Sequence, residues 1–122
     1  MGIKRLNLSD LPRAGNYSHS VSIGNLLFIS GQLGINERTK GDFSGQFRTA
    51  MNNIIKISEA NGSGIQNIVK MVVYISNSSY FQEMNKLFNE YFEDYPPART
   101  TIVCSFPNPD ALIELEATVY TD

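Results

Sequence analysis

Two stretches of sequence decide the predicted fold: Pro97-Ala98-Arg99-Thr100-Thr101 and Ile113-Glu114-Leu115-Glu116. Both are typical of β-strands, in which successive side chains point to opposite faces of a sheet. In the second stretch this alternation places the isoleucine and the leucine on an apolar face and both glutamates on a polar one. In the first stretch it places Arg99 and Thr101 away from the core. We therefore expect Arg99 and Glu114 to lie on the polar faces of their two strands.

An arginine and a glutamate on such a face have two explanations. A guanidinium binds a carboxylate through two parallel hydrogen bonds, and a glutamate accepts and returns protons. Together, Arg99 and Glu114 could hold a small carboxylate and a water molecule side by side. The alternative is a cross-strand or subunit-interface ion pair, because structural ion pairs are commoner than active sites.

The amino-terminal half of the chain predicts strands followed by a helix. Residues 3–8 are compatible with a short strand, and Gly24-Asn25 predicts a tight hairpin turn between strands at residues 18–23 and 26–31. The apolar residues that follow recur at helical spacing, with Asp42 as the expected N-cap and Gly62 as the expected stop.

The carboxyl-terminal half predicts a central strand, a second helix and two last strands. Residues 68–75 are too rich in β-branched side chains to favour a helix. Ser79 and Gln82 resemble a capping box that opens the second helix, whose buried face is expected to include Phe81. The predicted order is ββαβαββ, an α+β fold with both helices packed on one face of a mixed sheet and a partner subunit as the natural cover of the other face.

Composition favours a single globular domain over residues 1–122. The chain has 42% hydrophobic and 18% charged residues and a formal net charge of −2, which weighs against a dedicated nucleic-acid surface. Its single cysteine cannot form an internal disulfide. Neither a secretion signal nor an apolar run long enough to span a membrane is recognisable, so a cytoplasmic location is the default expectation.

Several blocks of sequence carry a family resemblance that runs nearly from end to end. In chain order they are Gly15-Asn16-Tyr17-Ser18-His19-Ser20-Val21, residues 24–32, residues 46–54, the strand at residues 67–75, and Pro97-Ala98-Arg99 followed by Ile113-Glu114-Leu115-Glu116. In these blocks the chain resembles the reactive intermediate deaminase A family, RidA, which is also called YjgF.

The resemblance implies a chorismate-mutase-like fold in a barrel-like homotrimer with its sites at the clefts between subunits. It implies a small 2-imino or 2-oxo acid as the ligand and no metal or organic cofactor. Active members of the family hydrolyse 2-imino acids such as 2-iminobutanoate and 2-iminopropanoate to 2-oxo acids and ammonia. The chain is therefore expected to form a homotrimer with 2-iminobutanoate/2-iminopropanoate deaminase activity.

The resemblance also implies a role for individual residues. Arg99 would bind the substrate carboxylate, Glu114 would orient or activate water, and Tyr17 would close the pocket and offer its hydroxyl. Four further positions would line the site: Ser30, Gly31, Thr101 and Asn85. Tyr17 and Ser30 of one subunit are expected to meet Arg99 and Glu114 across an interface.

The chain departs from the family pattern at two positions near the predicted site. Thr101 stands where many relatives have cysteine, and Cys104 lies an odd number of residues from Arg99, so it is expected to face the core instead. His19, the only histidine, stands where glutamine is common. A polar surface or capping role is expected for His19, with general-base catalysis as the alternative.

Two other classes of function stay open at this stage. A non-catalytic regulatory trimer would bind a small carboxylate through the same arginine without turnover. An endoribonuclease or translation inhibitor is the other alternative, but the sequence lacks the metal cluster, histidine pair or basic groove that a nuclease usually has.

Overall fold

The computed structural model describes residues 2–122, which form a six-stranded mixed sheet with two α-helices on one face. The strands are β1 (Lys4–Leu6), β2 (Ser20–Ile23), β3 (Leu26–Leu33), β4 (Ile68–Ile75), β5 (Ala98–Val103) and β6 (Ile113–Tyr120), and the helices are α1 (Phe43–Ala60) and α2 (Phe81–Phe92). The predicted α+β fold, its element order and the extra amino-terminal strand are confirmed.

The sheet has the strand order β1-β2-β3-β6-β4-β5. All neighbouring strands are antiparallel except β4 and β5, which are parallel because α2 crosses over between them. β5 lies at the edge of the sheet, and residues 93–97 connect it to the second helix. Within residues 2–122, neither helix is both long and apolar enough to cross a membrane.

Helix α1 begins and ends where its sequence predicts. The Asp42 carboxylate accepts a hydrogen bond from the Gly45 backbone N–H at 3.1 Å, and Gly62 has a φ of 78°, the left-handed conformation that glycine adopts without a Cβ clash. The helix packs on β3 and β6 through a buried and mainly apolar stripe around Phe47 and Ile54.

Helix α2 begins differently from the prediction. The side chain of Asn77 accepts a hydrogen bond from Ser79 N–H, a short 3-10 turn spans Ser78–Tyr80, and the α-helix starts only at Phe81. The predicted capping box at Ser79 is therefore wrong. The prediction that Phe81 is buried is also wrong, because its side chain is 39% exposed, whereas Phe88 lies in the core.

The faces of β6 are as predicted. Its side chains alternate between fully or nearly fully buried apolar residues beneath the helices and half-buried polar residues that include Glu114 and Glu116. We call the side that carries the two glutamates the open face. It also presents apolar side chains to solvent, among them Phe28 and Ile102.

The faces of β5 are the reverse of the prediction. Arg99 pairs with Met71 of β4, and paired residues of neighbouring strands point to the same side of a sheet. Because Met71 is fully buried beneath the helices, Arg99 lies on the helix-covered face, where its guanidinium carbon is 4.9 Å from the ring centre of Phe88. At a sheet edge a long side chain can bury its stem while its charge stays near water, so an arginine is accommodated on the helix-covered face. The two-residue alternation along β5 is kept, and only its two faces are exchanged relative to the prediction.

Cys104 is likewise misplaced by the prediction. It does follow Arg99 at an odd spacing, but the face opposite Arg99 is the open face and not the core. Cys104 is half-buried just beyond β5, with its backbone N–H bonded to the Ile75 carbonyl at 3.0 Å.

One buried glutamine connects the helix layer to the loop that precedes β6. The amide nitrogen of Gln46 donates to the carbonyls of Thr39 and Asp110, and its amide oxygen accepts from Leu112 N–H at 2.9 Å. Gly34 passes so close to α1 that a Cβ there would lie 2.0 Å from the Gln46 carbonyl oxygen. These contacts hold the segment that leads into Glu114.

Candidate active site

A cleft of about 540 Å³ lies where β3 extends beyond the end of β2. Strand β2 pairs with β3 only as far as Ile29, and the loop of residues 8–19 crosses the unpaired end of β3. We call this cavity the carboxylate cleft. Its walls are formed by Pro12, Ala14, Tyr17, Ser30, Gly31, Gln32, Leu33, Asn53, Tyr74, Phe106, Pro107, Asn108, Glu114 and Glu116.

Glu114 lies against the backbone of Gly31 in this cleft. A Cβ built on Gly31 would be 2.8 Å from both the carboxyl carbon and Oε2 of Glu114, so only glycine leaves room for the carboxylate. The side chain is half-buried, and this burial raises the pKa of Glu114, with the charge of Glu116 acting in the same direction. A carboxylate whose pKa is raised is a stronger base than an exposed glutamate.

Tyr17 is held at the mouth of the cleft by its own loop. Its hydroxyl oxygen accepts a hydrogen bond from Ala14 N–H at 3.0 Å, and its backbone carbonyl accepts from the Arg13 guanidinium at 2.8 Å. Since the hydroxyl acts as an acceptor toward Ala14, its hydrogen is left to donate to a ligand.

Ser30 also borders the cleft, but its hydroxyl hydrogen is already used. Ser30 Oγ donates to the Ser18 carbonyl at 2.6 Å, and Ser30 N–H donates to the His19 carbonyl at 3.0 Å. Any polar contact of the Ser30 side chain with a ligand would therefore use the oxygen as an acceptor.

Tyr74 and Glu116 belong to the cleft and were not predicted as site residues. The Tyr74 hydroxyl donates to Glu116 Oε1, which together with burial raises the pKa of Tyr74 to about 12. The alternation of β4 places Tyr74 on the same face as Glu114, so the sequence pattern could have predicted Tyr74 as a site residue. The sequence of residues 106–108 does not indicate that this loop lines the cleft, because its position depends on tertiary packing.

The remaining predicted residues form a separate group, which we call the arginine patch. It consists of Arg99, Thr101, Asn85, Phe81 and Phe88. The Arg99 guanidinium lies 4.9 Å from the ring centre of Phe88 and 6.0 Å from that of Phe81. Asn85 lies between the two phenylalanines on the same face of α2, given its spacing of four and three residues.

Two polar groups of the arginine patch lack partners within residues 2–122. Arg99 forms no salt bridge among them. The buried Thr101 Oγ1 has no hydrogen-bond partner there either. A guanidinium that is supported by aromatic rings and free of a carboxylate is suited to bind an anionic ligand.

The carboxylate cleft and the arginine patch lie on opposite faces of the sheet. One chain therefore brings Tyr17, Ser30, Gly31 and Glu114 together but leaves Arg99, Thr101 and Asn85 elsewhere. The expectation that Arg99 and Glu114 share a face of one chain is wrong, because the parallel register of β5 turns Arg99 toward the helices.

No metal site is present among the described residues. Within residues 2–122, no group of three His, Cys, Asp or Glu side chains is arranged to hold a metal ion. His19 is buried, so the expected surface position is wrong. Both of its ring nitrogens are hydrogen-bonded to backbone groups, which agrees with the expected capping role.

The sheet, its one-sided helices and the half-buried carboxylate define a protein of the chorismate-mutase-like α+β class. A family model described as Endoribonuclease L-PSP matches residues 8–121. The crystal structure of the YjgF gene product from E. coli has a TM-score of 0.85 to this chain and 28% sequence identity, covering 98% of this chain and 99% of its own. The chain belongs to the RidA/YjgF family, as its motifs predicted.

Two relatives illustrate how members of the family are named. A RutC family protein of Pyrococcus horikoshii is 38% identical over 112 residues, which are 88% of this chain and 89% of that protein. A protein of Dermatophagoides farinae named 2-iminobutanoate/2-iminopropanoate deaminase is 34% identical over 110 residues, which are 86% of this chain and 85% of its own. Membership thus supports a RidA-like imine deaminase or an L-PSP endoribonuclease class.

We expect Gly31→Ala to displace the Glu114 carboxylate without unfolding the chain. The added methyl group meets only the end of the Glu114 side chain, which can swing toward solvent, and the pKa of Glu114 then falls toward its ordinary value. A ¹³C NMR titration of the Glu114 carboxyl carbon measures this change. Gly15→Ala is the matched control, because its nearest atoms are 3.8 Å away. An unchanged titration of Glu114 in Gly31→Ala would contradict this expectation. It would show that the backbone at residue 31 yields to the added methyl group and leaves the Glu114 carboxylate in place.

We expect Glu116→Gln to lower the pKa of Glu114 while leaving it above that of an exposed glutamate. The substitution removes the neighbouring negative charge, but burial, the larger cause of the raised pKa, is retained. The same NMR titration measures the shift, with the exposed Glu37→Gln as control. A Glu114 titration that does not move in Glu116→Gln would exclude Glu116 as a cause.

Proposed function

We propose that this protein hydrolyses small 2-imino acids to 2-oxo acids and ammonia at sites shared between subunits of a homotrimer. The observation that carries the proposal is the separation of two complementary half-sites. A guanidinium that forms no salt bridge within residues 2–122 lies on one face of the sheet, and a half-buried carboxylate with a raised pKa lies on the other. A complete site then combines the arginine patch of one subunit with the carboxylate cleft of its neighbour.

The arginine patch suits the carboxylate of a 2-imino acid. The planar guanidinium can form two parallel hydrogen bonds to a carboxylate, a geometry that a lysine ammonium does not reproduce. The rings of Phe81 and Phe88 limit the orientations of Arg99 before the ligand arrives. Binding therefore costs less conformational entropy than it would with a freely rotating side chain.

The carboxylate cleft suits the attack of water on the imine carbon. A protonated imine is already electrophilic, so the protein has mainly to position a water molecule and transfer protons. Glu114 accepts a proton from the water as the C–O bond forms and the C=N electron pair moves to nitrogen. It then returns a proton to the nitrogen. As the C–N bond breaks, ammonia leaves with the bonding electron pair and Glu114 takes the proton of the carbinolamine hydroxyl, which leaves a 2-oxo acid. Transfer of that proton from Glu114 to ammonia gives ammonium and restores the carboxylate.

Tyr17 is well placed to act on the same intermediate. Its hydroxyl is oriented by the Ala14 N–H and keeps its hydrogen for donation. It can donate to the substrate in both the ground state and the transition state, which contributes mainly to binding. Ser30 and Gly31 form the wall behind the reacting carbon, and Thr101 and Asn85 approach from the neighbouring subunit.

The open face supplies a second reason for a trimer. It presents apolar side chains that one chain leaves uncovered, including Leu26, Phe28 and Ile102, each at least 40% exposed. Exposed apolar patches of this kind mark protein–protein contacts. Burial of these residues between subunits would bring the edge strand β5 of one chain close to the open face of the next.

We expect Arg99→Lys to lower kcat/KM for 2-iminobutanoate by about tenfold or more while the protein stays folded. The lysine retains the charge but loses the second hydrogen bond and the planar stacking on Phe88. Loss of imine absorbance, measured against a no-protein control with freshly generated substrate, gives the rate. Arg48→Lys is the matched control, because Arg48 is exposed and bonded to Glu90. A folded Arg99→Lys protein with wild-type turnover would exclude the carboxylate clamp.

We expect two inactive variants to complement each other only when their defects lie in different half-sites. Mixed trimers of Arg99→Ala and Glu114→Gln contain some sites with neither defect, so random exchange of equal amounts should restore about a quarter of the wild-type activity. A mixture of Tyr17→Phe/Ser30→Ala and Glu114→Gln should show no more activity than its two components measured apart, because these residues share one cleft. Equal recovery from both mixtures, or none despite proven exchange, would contradict the shared site.

Assays on the same purified protein also test the two alternative functions. A small-carboxylate-binding regulatory trimer would bind 2-oxobutanoate through Arg99 and yet leave 2-iminobutanoate untouched. The description of the family model favours an endoribonuclease as the second candidate. Cleavage of RNA that Arg99→Lys and Glu114→Gln leave unchanged would place that activity outside the proposed site.

A further inference from the structure

The loop of residues 8–19, which we call the Tyr17 loop, forms the outer wall of the carboxylate cleft. Three of its residues, Pro12, Ala14 and Tyr17, line the cavity. The loop contains no helix or strand, and most of its side chains are exposed. Something other than regular secondary structure must therefore fix the position of Tyr17 over the cleft.

His19 lies at the end of this loop and is only 1% exposed. Its Nδ1 accepts a hydrogen bond from Leu8 N–H at 2.9 Å, and its Nε2 lies 3.0 Å from the Pro12 carbonyl oxygen. A backbone N–H can only donate and a carbonyl can only accept, so these two contacts define a ring with its hydrogen on Nε2. One imidazole thus joins the first residue of the loop to its middle.

The backbone of His19 is fixed as firmly as its ring. Its N–H donates to Asn7 Oδ1 at 2.8 Å, and its carbonyl accepts from Ser30 N–H at 3.0 Å. Ser30 precedes Gly31, against which the Glu114 carboxylate lies. The same residue therefore connects the Tyr17 loop to the strand that carries the opposite wall of the cleft.

Apart from the partly buried hydrogen bond from Ser30 Oγ to the Ser18 carbonyl at 2.6 Å, the other side-chain contacts that hold the loop are exposed and contribute less. The Asp10–Lys56 salt bridge, at 2.7 Å, joins side chains that are more than half exposed, and such pairs are weak in water. The Arg13 guanidinium contacts the Tyr17 carbonyl in an exposed position. Leu8 and Leu11 pack against the edge of the core but do not orient the backbone between them.

We propose that His19 is a positioning residue that fixes the Tyr17 loop, and through it the Tyr17 hydroxyl, over the carboxylate cleft. His19 does not line the cleft and touches no group that would react. It acts because both of its ring nitrogens hold backbone groups of the loop that Tyr17 occupies. Its link to turnover rests on the proposed function, whereas its hold on the loop does not.

Hydrogen exchange measures the hold on the loop without any assumption about activity. We expect His19→Leu, which fills the space but offers no polar atom, to speed exchange of the Leu8 and Ala14 amides by about tenfold or more. His19→Gln should retain most of the protection, because an amide can accept from Leu8 N–H and donate to the Pro12 carbonyl. Asp10→Asn, which weakens only the exposed salt bridge, is the control. Wild-type exchange in His19→Leu would overturn the proposal.

Steady-state kinetics connects the loop to Tyr17. In trimers of the full chain, His19→Leu should raise KM for 2-iminobutanoate about fivefold with kcat within about twofold, and His19→Gln should restore KM. The effect should nearly vanish when Tyr17 is already replaced by phenylalanine, because both changes then remove the same interaction. An undiminished effect in Tyr17→Phe, or failure of His19→Gln to rescue, would show a general structural role.

The variants also distinguish a failure of the proposed function from a failure of His19 to hold the Tyr17 loop. If the wild-type protein leaves 2-iminobutanoate untouched, the proposed function fails, yet the exchange rates still decide whether His19 holds the loop. If His19→Leu does not fold, His19→Asn replaces it, because asparagine is too short to reach both Leu8 and Pro12. Equal exchange protection in His19→Asn and His19→Gln would then overturn the proposal.

Discussion

The parallel pairing of β5 with β4 is the constraint on which the site depends. The register that pairs Arg99 with Met71 turns the arginine toward the helices, whereas the antiparallel pairing of β6 turns Glu114 to the open face. No rotamer can bring the two charged groups together through a hydrogen-bonded sheet. If both act on one substrate, they must come from different chains. Catalysis and assembly are then two consequences of the same strand register.

The environment of Glu114 shows how local packing raises the pKa of a carboxyl group. Irregular pairing of β3 with β6 between Ile29 and Gln32 lies at the point where Gly31 meets the carboxylate. A bulge next to a glycine lets a side chain lie directly on the backbone, out of bulk water. The resulting desolvation favours the protonated form, and Glu116 adds to the effect. A carboxyl group whose pKa is raised in this way would suit the proton acceptor of the proposed reaction.

The fold was more predictable from sequence than the site was. Strand β4, the faces of β6 and both ends of α1 follow from local periodicity and capping, because neighbouring residues decide them. The face of Arg99 does not, since both sides of an edge strand carry mixed side chains and the deciding pairing is long-range. The hydrogen bond from Tyr74 to Glu116 and the burial of His19 likewise join segments that are distant in sequence or held by loop packing. The family resemblance predicted Tyr17, Gly31 and Glu114 as site residues one by one. Only the three-dimensional structure shows that they lie together in one cleft and that Arg99 lies elsewhere.

The unsatisfied hydroxyl of Thr101 is an energetic reason for a neighbouring subunit to complete the site. Its hydroxyl oxygen is buried near Arg99 and has no hydrogen-bond partner within residues 2–122. An unsatisfied buried hydroxyl costs about 1–3 kcal/mol, whereas a thiol is a much weaker hydrogen-bonding group and loses less in the same place. The threonine of this chain therefore gains more from a partner, whether a backbone group of an adjacent subunit or a ligand carboxylate, than the cysteine of many relatives would. A partner that arrives with the neighbouring subunit or with the ligand would remove this cost, which is the condition that the shared site would meet.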